Sequence, residues 1–229
     1  REKKRSDGND HDSKERRCIL RIATEADRQA LYNVCLLTGD AGQDATPLYT
    51  DPSLLGSIYV GPYLDEQNIT RFAYALVCPA GDKSDREEVV GYVLAALDTV
   101  TFHKQCELGG NGGPDAAWWP ALRTTYDKQG AMYSALRENE KQLVDREIFR
   151  EHRLDPESDS RSTVSSSDDK GGSDDDLSYA QICSLYPSHL HIDIISAFQG
   201  NSHGTVLMLK ILRRLRQGGS KGKTYSFFF

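Results

Sequence analysis

The sequence contains no long apolar run. No stretch approaches the roughly 18 uninterrupted apolar residues that a membrane-spanning helix needs. Its first residues, Arg1-Glu2-Lys3-Lys4-Arg5, are all charged, and no apolar segment of the kind found in signal peptides follows them. We therefore predict no membrane partner. The absence of an initial Met indicates a fragment or an incomplete gene model.

Cysteines at metal-binding or redox spacing are also missing. The five cysteines are far apart, their number is odd, and none belongs to a C-x-x-C motif. Most lie in apolar runs, which favours reduced packing residues over disulfides or a zinc site. We therefore expect no metal and a reducing compartment, the cytoplasm or the nucleus. The cysteines are Cys18, Cys35, Cys78, Cys106 and Cys183.

Positive charge at the density that nucleic-acid binding requires is absent. The chain has 229 residues and a net charge of −6. The segment 155–176 alone contains eight acidic and two basic residues, so the rest of the chain is close to neutral. A nucleic-acid-binding surface needs a concentrated basic face. We therefore predict no nucleic-acid partner, and the oligomeric state stays open.

Two segments have the composition of disordered chain. Residues 1–17 mix both charges without periodicity, and residues 155–176 are rich in Ser and Asp. Neither segment can bury enough apolar surface to offset the entropy lost on folding. We predict a disordered charged tail at 1–17 and one domain over 18–229, with a disordered acidic insert at 155–176.

The remaining sequence alternates between extended and helical patterns. A short strand at 18–22 precedes a helix that Thr24-Glu25-Ala26-Asp27 begins as a capping box. Two strands, at about 71–78 and 89–97, form a hairpin across a charged loop. Further helices are predicted at 51–60, where Gly61-Pro62 ends the helix, and at 101–107, 118–126, 132–153 and 179–186.

The segment 189–217 predicts a strand, a loop and a helix. Residues 189–194 alternate polar and apolar, as in a strand with one face on the core. A loop of glycine and small polar residues follows, and then an amphipathic helix over 204–217. The free N–H groups and the dipole at the start of such a helix form a site for a phosphate group. The predicted core side chains are Leu190, Ile192 and Ile194 in the strand, and Met208, Ile211, Leu212 and Leu215 in the helix.

The loop between this strand and helix resembles the acetyl-CoA motif of the Gcn5-related (GNAT) N-acetyltransferases, Gln/Arg-x-x-Gly-x-Gly/Ala. Gln199 stands at its first position and Gly204 at its last, while Ser202 replaces the middle glycine. The resemblance implies an α/β (α+β) fold with a mixed, mostly antiparallel twisted sheet flanked by helices. It also implies transfer of an acetyl group from acetyl-CoA, as co-substrate, to a primary amine.

The resemblance also assigns site residues by position. Asp193 and His191 share the strand face opposite the predicted core, so either is a candidate general base. Asp40, in an early Gly-containing loop, is the third catalytic candidate, as a contact to a cationic substrate. The backbone of the strand end would pair with the pantetheine arm, and the loop would hold the diphosphate. The predicted cofactor-binding residues are Ile194, Ile195, Ser196, Gln199, Gly200, Asn201, Ser202, His203, Gly204 and Thr205.

A narrower likeness is to the acetyltransferase-like C-terminal domain of the O-GlcNAc-removing hydrolase and its microbial relatives. It rests on Thr38-Gly39-Asp40-Ala41-Gly42, Asp98-Thr99, Trp118-Trp119-Pro120 and the segment 186–193. It implies an alternative function, a catalytically inactive acyl-CoA-binding or interaction module. The last strands of the GNAT fold are expected to be missing, because only residues 223–229, which could begin one strand, follow the motif helix.

A metal-dependent hydrolase is a further alternative. His189-x-His191-x-Asp193 is similar to the His-x-His-x-Asp-His motif of metallo-β-lactamase-like enzymes. Ile194 stands where that motif has its last His, and alternate polar residues also fit an ordinary strand face.

Overall fold

Five strands form one sheet whose strand order follows the chain. They are β1 (Ile19–Ile22), β2 (Arg71–Pro79), β3 (Glu87–Ala96), β4 (His189–Ile194) and β5 (Tyr225–Ser226). The first four are antiparallel, and β5 runs parallel to β4. The predicted mixed, mostly antiparallel sheet flanked by helices is confirmed, and β5 is the further strand expected within 223–229.

The computed structural model describes residues 17–64, 71–80, 86–110, 113, 116–149, 179–220 and 225–226. Apart from Arg17, the predicted tail and acidic insert lie outside these residues and stay predictions. No helix within the described ranges is long and apolar enough to cross a membrane. The helices are α1 (Arg28–Thr38), α2 (Leu54–Tyr59), α3 (Gly61–Leu64), α4 (Thr99–Leu108), α5 (Trp118–Thr125), α6 (Ala131–Ala135), α7 (Glu138–Glu147), α8 (Tyr179–Leu185) and α9 (His203–Gln217).

Helices cover both faces of the sheet. β2 and β3 are nearly continuous buried runs, the pattern of strands that are covered on both sides. On one face, α1 to α5 and α7 contribute to a cluster that includes Leu31, Leu94 and Trp119. On the other face, α9 packs Leu207 and neighbouring side chains against the sheet. The two faces are called here the α1 face and the α9 face.

The capping box before α1 is confirmed. The backbone N–H of Thr24 donates to Oδ2 of Asp27 at 2.9 Å, and Arg21 donates to both Asp27 oxygens at 2.6 and 2.7 Å. The hydrogen bond from Arg21 is the main cause that lowers the pKa of Asp27 to about 2. This network ties β1 to the start of the helical segment.

Two helices differ in extent from the prediction. The single helix predicted at 132–153 is wrong, because Leu136 and Arg137 adopt extended backbone angles between α6 and α7. Leu136 is buried there, so tertiary packing overrides local helix propensity. The helix α2 ends before Gly61-Pro62, but these two residues also begin α3. Pro is tolerated there because it lies in the first helical turn.

The buried stripe of α9 differs from the predicted one by a single position. Ile211 and Leu215 are buried as predicted, together with Leu207, and Met208 packs at the edge of the same cluster. Leu212 is 40% exposed, so its predicted core position is wrong. The buried residues recur every four positions, and Leu212 lies one residue outside that stripe.

The five cysteines are in two different states. Cys18 and Cys78 form a disulfide, so the prediction of reduced cysteines is wrong for these two. The register that pairs Ile19 with Val77 brings them opposite each other, which sequence spacing does not reveal. The cytoplasmic or nuclear location therefore loses part of its support and stays a prediction. The remaining cysteines, Cys35, Cys106 and Cys183, are buried thiols outside the disulfide, as predicted.

We expect reduction of the Cys18–Cys78 disulfide to lower the free energy of unfolding by about 2–4 kcal/mol, because the bond closes a long loop in the unfolded chain. Urea unfolding of the oxidised and the reduced chain, both in a buffer with a metal chelator, measures the difference. Cys183→Ser changes a cysteine outside the disulfide and should respond to reductant as the original chain does. An unfolding midpoint that does not move on reduction would contradict the expectation.

Candidate functional site

The candidate site is built on the pairing of β4 with β3. Tyr92 and Asp193 are direct partners in this register, on the α1 face. Val90 is the extra residue of a bulge, since the β2 partners change from Gly91 to Val89 in one step. Gly91 is required here, because a Cβ at this position would lie 2.8 Å from the carbonyl oxygen of Asp193. The glycine lets the two strands approach closely beside Asp193.

A cavity of about 480 Å³ lies beside Asp193. It is bounded by the end of α1, the loop that follows α1, α2 and the end of β4. The side chain of Asp193 and the first residue of the predicted coenzyme loop, Gln199, line the same cavity. The lining residues are Cys35, Thr38, Gly39, Ala41, Gly42, Leu55, Tyr59, Tyr92, His191, Ile192, Asp193, Ile194 and Gln199.

Asp193 is a carboxyl group with restricted access to solvent. Burial raises its pKa, and hydrogen bonding with Tyr92 and Thr38 partly opposes that shift. Burial also raises the pKa of Tyr92, so this hydroxyl keeps its proton and is a donor to the carboxylate. A carboxyl group with a raised pKa next to a neutral donor has the properties of a general base that works near neutral pH.

Cys35, in α1, is a further polar side chain beside Tyr92 and Asp193. Burial raises the pKa of its thiol to about 12, and contact with Tyr92 opposes the shift. Because the thiolate is the nucleophilic form of cysteine, a thiol that stays protonated is a packing group in this cavity.

His189 is bound by the protein through both ring nitrogens. Its Nε2 lies 2.5 Å from the hydroxyl of Tyr63, and its Nδ1 lies 2.8 Å from Oγ1 of Thr99. Burial lowers its pKa, with repulsion from neighbouring histidines as a further cause. The neutral ring has no nitrogen left for a metal, which argues against the metal-dependent hydrolase.

His191 lies in the cavity wall, as its candidate role requires. Its ring packs against those of Tyr59 and Tyr63, with centroids 6.3 and 5.6 Å away. Burial lowers its pKa to about 4, so the imidazole is neutral at physiological pH. The structure brings His191 and Asp193 together on the α1 face, as predicted.

The loop after β4 presents backbone N–H groups that are free to bind a ligand. It contains a 3-10 turn at Ser196–Phe198 and enters α9 with positive φ at Gly200 (81°) and Ser202 (61°). No described residue accepts a hydrogen bond from the N–H groups of residues 200–205. Successive free amides at the positive end of a helix dipole form an anion-binding arrangement.

The outer edge of β4 is open near its C-terminal end. The N–H of Ile195 donates to the carbonyl of Val90 at 3.0 Å. Because backbone groups alternate in direction along a strand, those of Ile194 point away from β3. In the described part of the chain, β5 covers that edge at the first two residues of β4. The carbonyl of Ile194 accepts from Nε2 of Gln199 at 2.8 Å, so its N–H is the group left for a ligand.

Two candidates are placed less favourably for their expected roles. Ser196 begins the 3-10 turn, and its carbonyl accepts from the N–H of Gln199, so its backbone is not extended as strand pairing requires. Asp40 is exposed and forms a two-way backbone bridge with Gln43. It is not among the residues that line the cavity, so the structure does not bring it to Asp193.

Sequence reasoning missed the residues that surround Asp193. Cys35 and Thr38 belong to α1, and Tyr92 belongs to β3. Their proximity to Asp193 depends on tertiary packing. Tyr92 carried the one available signal, because a polar-tipped residue stands next to a glycine inside an apolar strand. Its register partner on β4 was not readable from the sequence.

We expect Asp193→Asn to raise the free energy of unfolding relative to the original chain, increasingly as pH rises above the ordinary pKa of an Asp side chain, about 4. With its raised pKa, Asp193 keeps its proton in the folded chain where the unfolded chain has released it. Stability is therefore lost as pH rises through this range, and a neutral Asn does not carry that cost. Urea unfolding across pH measures it. The control is Asp40→Asn, at an exposed carboxyl, and a pH-independent difference for Asp193→Asn would contradict the expectation.

No protein-family model matches the chain. Among solved structures, the crystal structure of the acetyltransferase SsHAT is similar, with a TM-score of 0.59 and 25% sequence identity. The match covers 89% of this chain and 79% of that one. The mixed sheet flanked by helices is thus an acetyltransferase-like fold. The likeness supports acetyl transfer as the general kind of activity.

Proposed function

We propose that this chain is an N-acetyltransferase of the GNAT type that transfers an acetyl group from acetyl-CoA to a primary amine. The observation that carries the proposal is one cavity lined both by a half-buried carboxyl group, Asp193, and by the start of an amide-rich loop, Gln199. The carboxyl group supplies a base, and the loop supplies an anion site. The likeness to SsHAT supports the same kind of chemistry.

The residues of the loop fit a diphosphate. The N–H groups of residues 200–205 have no acceptor among the described residues, and they lie at the positive end of the α9 dipole. At Gly204, the nearest atom to an added Cβ would be Cδ1 of Ile194, 3.9 Å away. The backbone can therefore be approached closely from this side, as phosphate binding to main-chain amides requires.

The open edge of β4 fits the pantetheine arm. An extended amide-containing chain can add to a free strand edge by main-chain hydrogen bonds. The N–H of Ile194 points to that edge, and Ile192 and Ile194 are among the residues that line the cavity. Bound acetyl-CoA would supply the thioester at which the amine reacts, and the chain's own residues position it.

Asp193 is the base in this proposal. An alkylammonium group must lose a proton before its nitrogen can attack a thioester. The carboxylate attracts the cation electrostatically and accepts its proton, directly or through water. Tyr92 remains protonated because its pKa is raised, so its hydroxyl is available as a hydrogen-bond donor. His191 stays neutral and forms part of the cavity wall where the amine would bind.

One observation favours the alternative of a catalytically inactive acyl-CoA-binding module. Hydrogen bonding with Tyr92 and Thr38 already satisfies part of the Asp193 carboxyl group, as in a structural buried carboxylate. The narrower likeness to the hydrolase's acetyltransferase-like domain points the same way. In this alternative the loop and the open strand edge keep their roles, and proton transfer is lost.

Gly204→Glu should weaken acetyl-CoA binding at least tenfold, about 1.4 kcal/mol, because a carboxylate would stand beside the diphosphate. The helix itself should tolerate the change, since an acidic side chain is favourable at a helix N-terminus. Isothermal titration calorimetry with acetyl-CoA measures the affinity. Gly204→Gln has the same size without the charge and should lose less. Equal affinity of Gly204→Glu and the original chain would exclude the proposed loop site.

Asp193→Asn should keep its affinity for acetyl-CoA and lose the transfer rate by about 10²–10⁴-fold, the range for removal of a general base. Release of the coenzyme thiol with a panel of primary amines measures the rate. An unchanged rate would remove Asp193 from the mechanism. Acetyl-CoA binding by the original chain without amine-dependent thiol release would select the inactive module instead.

A further inference from the structure

Three side chains with metal-binding atoms converge on the α9 face, away from the candidate active site. They are Cys18 before β1, Cys78 in β2 and His203 at the start of α9, and their ligand atoms lie within 4.8 Å of one another. Cys78 packs in the cluster below α9, whereas Asp193 and its partners lie on the α1 face. The three side chains are therefore separate from Asp193, although the backbone of His203 belongs to the loop proposed to hold the diphosphate.

The orientation of His203 is the second observation that points to a metal. Its Nδ1 lies 3.0 Å from the carbonyl oxygen of Phe198. A carbonyl can only accept, so Nδ1 carries the ring proton and Nε2 keeps its lone pair. A backbone carbonyl that binds one imidazole nitrogen while the other binds the metal is the usual outer shell of a histidine ligand.

The surroundings of the two sulfur atoms favour a tight site. Cys78 is buried, and Cys18 and His203 are half-buried. Cys18 packs at the edge of the same apolar cluster. Ligands from three separate segments, held by a strand pair and a helix start, are preorganised to a degree that a flexible loop is not.

We propose that Cys18, Cys78 and His203 bind one zinc ion when the Cys18–Cys78 disulfide is reduced. Two thiolates and one imidazole are a soft ligand set that suits tetrahedral Zn²⁺, with water as the fourth ligand. A trialkylphosphine reduces the disulfide with one water molecule, which gives two thiols and the phosphine oxide. Binding of Zn²⁺ then releases the two thiol protons. The ion replaces the covalent link between β1 and β2 and attaches both to the start of α9.

This site cannot be recognised from the spacing of the two cysteines in the sequence. They are separated by 60 residues, and His203 belongs to a distant helix. Only the antiparallel register of β1 and β2, together with the packing of α9, brings the three ligands together. The proposal does not depend on the acetyl-transfer proposal, because it concerns other atoms of the chain.

Cobalt binding to the full chain tests the proposal. The chain is reduced with a phosphine, freed of metal with a chelator, and titrated with Co²⁺ without air. We expect one Co²⁺ per chain, with thiolate-to-cobalt charge-transfer absorption and the intense visible bands of tetrahedral cobalt, and displacement by Zn²⁺. The oxidised chain should show neither absorption. Zn²⁺ should also raise the unfolding temperature of the reduced chain and leave that of the oxidised chain unchanged.

Variants separate this site from accidental thiol binding. Cys78→Ser should lose the charge-transfer absorption, and it is matched to the reduced original chain, since both lack the disulfide. His203→Ala should bind Co²⁺ at least about 10-fold more weakly, because loss of even an outer-shell partner of a metal ligand costs about that much. Cys183→Ser, at a cysteine outside the cluster, should bind as the original chain does. Equal binding by Cys78→Ser or His203→Ala, or absence of thiolate absorption in the reduced chain, would overturn the proposal.

Discussion

The pairing of β4 with β3 is the constraint on which the site depends. It sets the register that places Asp193 opposite Tyr92, and the missing side chain of Gly91 permits the close approach of the two strands. A slip of one residue would move the side chain of Asp193 to the α9 face and that of an isoleucine to the α1 face. Both faces are covered by apolar clusters, so such a slip would bury a carboxyl group against apolar side chains. The fold therefore specifies the register strongly, and the register specifies the site.

Burial then determines the charge state of the cavity. It keeps His191 neutral and Tyr92 protonated, and it raises the pKa of Asp193. Among the described residues that line the cavity, Asp193 is the one ordinarily charged side chain. An ammonium group that enters would thus meet a single counter-charge in a medium where charge interactions are stronger than in water. The same burial raises the free energy of the carboxylate when it has no cationic partner. Burial therefore favours both the attraction of a cation and the acceptance of its proton.

The sequence was most informative where structure depends on neighbours along the chain. The capping box at Thr24 and Asp27, the strand at residues 189–194 and the small-residue loop before α9 are local patterns, and the structure contains all three. Alternation along β4 correctly placed Asp193 and His191 on one face. The sequence was uninformative where contacts join distant segments. The Cys18–Cys78 pair, the approach of Tyr92 and Cys35 to Asp193, and the displacement of Asp40 from the cavity all follow from register and packing.

The two halves of the proposed site consist of different kinds of chemical group. The coenzyme half consists mainly of main-chain groups, the amides of residues 200–205 and the N–H of Ile194, which many sequences can provide once the strand, turn and helix form. The chemical half consists of side chains, Asp193 with Tyr92 beside it, and a single substitution removes either. A binding module and an enzyme built on this frame would therefore share the loop and differ in the cavity. This is why the free amides support coenzyme binding in either case, and why the assignment of catalysis depends on Asp193.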